Sequence, residues 1–217
     1  MTVRIQIPLW PSKQIKAYVP DTSPIRMIKL DVLAVGNLVR EDDIIKEAHS
    51  TSTLVRTDER NIVVDTSSTF LRPAVKDSLK QLCVLPKDVD TVVLTHSHHD
   101  HVENLDLFPK AKVYVRKEED FGKGVQVDRD TELCPGVRLV HTPGHTAGSM
   151  SVFVTSERRY AITGDAVPLE DNVVRMVPPR LNIDKELAMK SIKAIISFAD
   201  VIVPGHGFPF MNGGVLK

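Results

Sequence analysis

The sequence predicts an α/β fold, organised as one domain over residues 1–217. Two observations lead there. In both halves of the chain, short runs of β-branched and aliphatic residues are followed by amphipathic helical segments, the pattern of strands covered by helices. The chain also has 217 residues with 42% apolar and 26% charged content, enough to bury a core and too apolar for a disordered chain. It contains no internal repeat, low-complexity tract or linker-like stretch.

Val3 to Pro8 alternates apolar and polar residues, as an edge strand does, and Pro11 to Pro24 is proline-bearing and expected to loop. Ile25 to Leu38, with Ile28, Leu30, Val32 and Ala34 at alternate positions, is expected to be a strand. Glu41 to Ala48 is charged and fits a loop or a short helix. Ser50 to Thr57 and Asn61 to Asp65 are two strands joined by Asp58-Glu59-Arg60. Pro73 to Cys83 places Val75, Leu79 and Leu82 at helical spacing, with proline early where a helix tolerates it.

Thr91 to Thr95 is a buried strand, and Lys112 to Val115 is another. Lys117 to Gly124 is charged and glycine-ended, hence a short helix or loop. Val137 to His141 is a strand running into a Pro-Gly turn. Met150 to Thr155 and Tyr160 to Ile162 make a hairpin. Ala166 to Asn182 has three prolines, little periodicity and the makings of a substrate rim. Asp184 caps a helix to Phe198 that carries Leu187, Ile192, Ile195 and Ile196 on one side. Ala199 to Pro204 is the last strand. Trp10 and Tyr160 are left as core or surface residues.

The chemistry concentrates where the 91–95 strand ends, in His96-Ser97-His98-His99-Asp100-His101. Side chains alternate faces on an extended chain, so His96 and His98 point the same way and two imidazoles can share one cation, while His99 points away. A turn after that point brings Asp100 and His101 back towards a second cation. Imidazole and carboxylate without thiolate suit zinc, iron or manganese.

Lys plus Arg and Asp plus Glu are both 28, so the net charge is zero and a long nucleic-acid partner is not indicated. Cys83 and Cys134 lie in no metal-like spacing and are expected to be reduced, structural thiols. The start, MTVRIQIPLW, is unlike a secretion signal. No apolar run approaches the roughly 18 residues that cross a bilayer. A soluble cytoplasmic protein that does not enter the membrane is the expectation.

His96 to His101 resembles the HxHxDH signature of the metallo-beta-lactamase superfamily. His145 in HTPGHTAGS, Asp165 in AITGDA, His206 in VIVPGHG and the VVDTSS block at 63–68 are similar to that family's other blocks, in its order. The resemblance covers most of the chain and implies a four-layer αβ/βα sandwich. It also implies the ligands: His96, His98 and His145 for one cation, Asp100, His101 and His206 for a second, and Asp165 between them. Asp65 is either an orienting partner for a ligand histidine or a turn residue. Of the other histidines, His141 is expected to pack at a strand end and His49 to be exposed. The chain departs from the family pattern at Ser67 and Glu103, where glycines are usual. Glu103 requires ordinary backbone angles and is expected to face solvent.

The resemblance implies a hydrolase that uses two divalent cations, zinc or else iron or manganese, to activate water against an ester, thioester, lactone or phosphodiester. Asp100 is the candidate to hold that water or take its proton. A bridging carboxylate offsets the repulsion between cations roughly 3.5–4 Å apart. HTPGHTAGS is similar to the loop of the thioesterase glyoxalase II. ENLDLFP at 103–109 and PGHGFPF at 204–210 resemble a smaller branch linked to RNA cleavage. Alternatives from the same superfamily are an iron persulfide dioxygenase and a non-catalytic binding module. The expected partner is a small-molecule substrate, and a homodimer is common among small relatives. Arg175 and Arg180 follow Asp165 and are candidates for a substrate carboxylate or phosphate, against a solvated loop role.

Overall fold

A computed structural model describes residues 28–42 and 44–213. The expected strand at Val3 to Pro8, the loop at Pro11 to Pro24 and Trp10 lie outside them. The described strands are β1 (Lys29–Ala34), β2 (Asn37–Glu41), β3 (Ile44–His49), β4 (Ser52–Arg56), β5 (Asn61–Val64), β6 (Thr91–Val93) and β7 (Lys112–Arg116). They continue with β8 (Val125–Val127), β9 (Thr131–Cys134), β10 (Val137–His141), β11 (Met150–Thr155), β12 (Arg159–Ile162), β13 (Val201–Val203) and β14 (Phe210–Met211). The helices are α1 (Arg72–Gln81), α2 (His99–Val102), α3 (Glu170–Val174) and α4 (Lys185–Phe198).

Two six-stranded mixed sheets carry the fold, in the orders β1-β4-β5-β6-β7-β8 and β14-β13-β12-β11-β10-β9. Alternation along each strand decides what lies between them. Val55, Ile62, Val64 and Val93 of the first sheet pack against Leu139, Met150, Val152 and Ile162 of the second. The opposite faces bury Leu54, Val63 and Val92 under Val75 and Leu79 of α1, and Phe153, Ala161 and Ile202 under Ile192 and Ile195 of α4. The result is the αβ/βα sandwich. Leu54, Val63, Val92, Ile192 and Ile195 are fully buried, and each such side chain contributes about 1.5–3 kcal/mol.

Asp184 caps α4, its Oδ1 accepting the Glu186 and Leu187 amides at 2.9 Å each. The Pro73 to Cys83 helix forms with proline near its start. Both cysteines are free thiols, Cys134 buried and Cys83 exposed.

Four expectations change. Ile25 to Leu38 is not one strand: β1 ends at Ala34, and β2 starts at Asn37 after Gly36. A Cβ on Gly36 would lie 2.1 Å from the His49 carbonyl oxygen, so the chain turns there through a space that only glycine fits. Glu41 to Ala48 is neither loop nor helix. Most of it is β3, which pairs with β2 in a separate two-stranded sheet. Its charge pattern misled because this hairpin has no face buried in either core. Short β8, β9 and β14 edge the sheets without a sequence signal, and α3 interrupts the expected loop after Asp165.

Candidate metal centre

Strand ends place the site. Asp65 follows β5, His96 follows β6, Asp165 follows β12 and His206 follows β13. β5 pairs in parallel with β6, and β12 with β13, so each pair delivers both residues to the same edge of its sheet. His98 ends the extended stretch after His96, and α2 then turns Asp100 and His101 inward.

All seven predicted residues converge. Potential ligand atoms of His96, His98 and His145 lie within 4.8 Å of one another, as do those of Asp100, His101 and His206. A third such group, His96, His101 and Asp165, joins the two. Asp165 faces both ways: Oδ2 is 3.5 Å from His145 Nε2, while Oδ1 is 3.2 Å from His206 Nε2 and 3.6 Å from His101 Nε2. His99 is exposed and takes no part, as its alternation predicts.

Whether these residues suit a cation can be tested on the polar atoms they bury. Asp100 Oδ2, His101 Nε2 and Asp165 Oδ1 are buried without a hydrogen-bond partner. Such atoms each cost about 1–3 kcal/mol if left unmatched. All three aim into one space, with imidazole and carboxylate donors around it. The residues fit divalent cations.

Much of the site's rigidity comes from partners one layer out. Asp65 accepts from the Thr95 amide at 2.8 Å, the Thr95 hydroxyl at 2.7 Å and His101 Nδ1 at 2.7 Å. Of the two roles the sequence offered, Asp65 fills both, and the first is that it orients His101. Its φ of 53° shows that the residue also makes a turn. His145 Nδ1 donates to the Leu181 carbonyl at 2.8 Å, and His206 Nδ1 to the His49 carbonyl at 2.9 Å. In each case the other ring nitrogen faces the centre.

Glu119 was not signalled by any motif. It accepts from the Ser97 amide and hydroxyl at 2.8 Å each, and from the Thr146 hydroxyl at 2.5 Å. One carboxylate thereby ties the loop of His96 and His98 to the loop of His145. Two glycines make room at the centre: a Cβ on Gly164 would lie 2.2 Å from Thr95 Oγ1, and one on Gly205 would lie 2.1 Å from Asp165 Oδ1.

His49 is half-buried rather than exposed. It stacks on Phe70 with ring centroids 4.6 Å apart, and its Nδ1 meets Ser68 Oγ at 2.8 Å. His141 packs at its strand end, with Nε2 on the Ala147 carbonyl at 2.9 Å. Ser67 adopts φ 62°, the backbone shape for which glycine is usual, and its hydroxyl donates to the Ser50 carbonyl. Glu103 has ordinary angles and an exposed side chain that accepts from the Thr69 amide and hydroxyl. Arg175 is exposed in an ion pair with Asp171, whereas Arg180 lines the mouth of the centre.

The field is uneven. Burial holds His96 well below its ordinary pKa, and neighbouring imidazoles add to the effect. Burial and then His145 lower His98. Burial opposes charge on His101 too, but Asp65, with help from Asp165 and Asp100, raises it to about 9. Burial works against charge on Asp165, yet His206, His101 and His96 hold it well below the usual carboxylate range. Asp165 raises His206 against its burial.

A family model described as the metallo-beta-lactamase superfamily matches residues 45–121 and 113–206. The chain belongs to that superfamily. A probable metallo-hydrolase of Methanocaldococcus jannaschii is 40% identical over 184 residues, 83% of this chain and 86% of the relative. The human metallo-beta-lactamase domain-containing protein 1 is 35% identical over 161 residues, 69% of this chain and 59% of its own length. The chain thus matches about six-tenths of that relative. Among solved structures, a putative metallo-beta-lactamase of Thermotoga maritima superposes with a TM-score of 0.71 at 21% identity, over 85% of this chain and 99% of its own. By class, the chain is a metal-dependent hydrolase of the superfamily. No helix among the described residues is long and apolar enough to cross a membrane.

Proposed function

We propose that this chain holds two divalent cations, zinc or else iron or manganese, and hydrolyses a small-molecule ester, thioester, lactone or phosphodiester. The observation that carries the reading is the convergence of His96, His98 and His145 beside Asp100, His101 and His206, with one Asp165 oxygen facing each set. The second complete cluster supports two cations over the single iron of a dioxygenase. When bound, such ions lower the pKa of water to about 7 and polarise the oxygen of the bond under attack.

The chain's own residues do the rest. Asp165 supplies negative charge between the clusters. Asp100, with Oδ2 3.7 Å from both His101 Nε2 and His206 Nε2, is placed to orient the attacking water and accept its proton. Asp65, Leu181 and His49 hold three imidazoles so that each presents Nε2 to the centre. The mouth, walled by Leu38, Ile45, Pro168 and Leu181, narrows access to bulk water.

The test combines metal analysis with a panel of esters, thioesters, lactones and phosphodiesters. The expected result is about two cations per chain and turnover that chelation removes. His98→Ala and Asp165→Ala should each abolish turnover while circular dichroism stays native. Undiminished rates in either variant would refute the assignment.

A further inference from the structure

The mouth of the metal centre is built from two arms. One is the β2–β3 hairpin, contributing Leu38, Arg40, Ile45 and Ala48. The other is the segment after Asp165, contributing Pro168, Pro179, Arg180 and Leu181. The arms are joined, because Arg180 Nη1 donates to the Asp42 carbonyl at the hairpin tip at 3.3 Å. They surround His98, Asp100, His145, Asp165 and His206, and share one cavity with them.

The charges on this wall are one-sided. Its carboxylates are Asp100 and Asp165, both already assigned to the cations. Beyond these and the histidines of the centre, the ionisable lining residues are two arginines, Arg40 and Arg180, one on each arm. Arg40 is half-buried, and no carboxylate among the described residues lies within ion-pair distance of it. Apart from His98, His145 and His206, the rest of the wall is apolar. Arg56, Arg72, Arg116 and Arg159, unlike Arg40, each hold a carboxylate at 2.6–2.8 Å.

We infer that the substrate carries a second, non-reacting anionic group, a carboxylate or a phosphate, which Arg40 and Arg180 receive at the mouth while the scissile bond reaches the cations. A guanidinium fork matches either anion through paired N–H donors and gains strength in a partly enclosed site. An apolar spacer between the two groups would lie along Leu38, Ile45 and Leu181. The inference rests on the hydrolase reading and narrows it to substrates with a negative end.

Two measurements test it. The first compares 4-nitrophenyl butyrate with mono-4-nitrophenyl glutarate, which share a leaving group and differ by a terminal carboxylate. The metal-loaded protein should favour the glutarate by at least about tenfold in kcat/KM. Arg40→Met and Arg180→Met should each erase most of that preference through KM, with metal content unchanged. The second measures binding of glutarate and of propyl phosphate by calorimetry, before and after chelation. Affinity should fall at least about tenfold in the double variant, and the tighter probe names the anion. A ratio near one in the unmodified protein, or unchanged probe binding in the double variant, would overturn the inference. Arginine-dependent binding without turnover of any ester, thioester, lactone or phosphodiester would leave the anion site standing and remove the hydrolase reading instead.

Discussion

Asp65 shows how much a single carboxylate can govern here. It is 2% exposed and accepts three hydrogen bonds, one from His101 and two from Thr95. Asp65→Ala should lower cation affinity about 10- to 100-fold, the usual cost of removing a ligand's orienting partner, as read by competition with a chromogenic chelator. The same pair sets a pH dependence. His101 titrates near 9 in the fold against an ordinary value of 6.5, so its stabilisation is fully present below pH 6.5 and is lost as the pH climbs through about 9. The metal-free chain should therefore melt at a lower temperature at pH 9.5 than at pH 6.5, and Asp65→Ala should flatten that difference. Because a cation needs the neutral ring, loading at pH 7.5 should also release protons, measurable by calorimetry in buffers of different ionisation enthalpy.

The residues that converge were legible in the sequence, and the groups that hold them in place were not. His96, His98, Asp100 and His101 announce themselves because four of the seven stand within six positions, after a strand whose alternation fixes where they point. His49 and Leu181 act through backbone carbonyls, which every residue possesses, so no residue type could have marked them. Glu119 looks like any charged turn residue until the fold brings Ser97 and Thr146 to it.

At the scale of elements, Glu119 joins two segments that no strand pairing links. The 96–98 loop leaves the first sheet and the 142–149 loop leaves the second, and this carboxylate spans them. Glu119→Ala should weaken the cation held by His96, His98 and His145 while the cation held by Asp100, His101 and His206 stays. The stoichiometry after dialysis should fall from about two towards one, and Glu119→Gln, which keeps an acceptor and gains a donor, should sit between. Equal loss from both clusters would show a general loosening instead. β2 and β3 were half-hidden for a related reason. A hairpin that packs on neither core has no buried face to set its pattern, and Ile44 and Val39 stay exposed. The long strands and helices α1 and α4 were readable because each buries one face against a sheet.

At the scale of the whole molecule, the centre lies across the seam between the sheets. His96 and Asp100 belong to the first half of the fold, His145, Asp165 and His206 to the second, so cations bound as proposed would fasten the halves together. Chelation should then lower the melting temperature of the entire fold. At cation concentrations near 1,000 times Kd the stabilisation is about 4 kcal/mol, or roughly 8–16 °C for a chain of this size. Differential scanning with and without chelator checks it, and a melting temperature indifferent to chelation would place the cations elsewhere. The Met150 amide, which donates to the Thr95 carbonyl at 2.8 Å, and the Thr51 amide, which donates to the Gly205 carbonyl at 2.7 Å, cross the same seam.

His98 is exposed, while His96, His101, His145 and His206 are all buried. On the two-cation reading, an ion arriving from solvent should meet that imidazole before the other four and exchange part of its hydration there first. The order of arrival is built into the shape of the entrance. The speed with which the protein takes up or surrenders its ions should follow the freedom of this one ring, even where the final affinity is set by the four behind it.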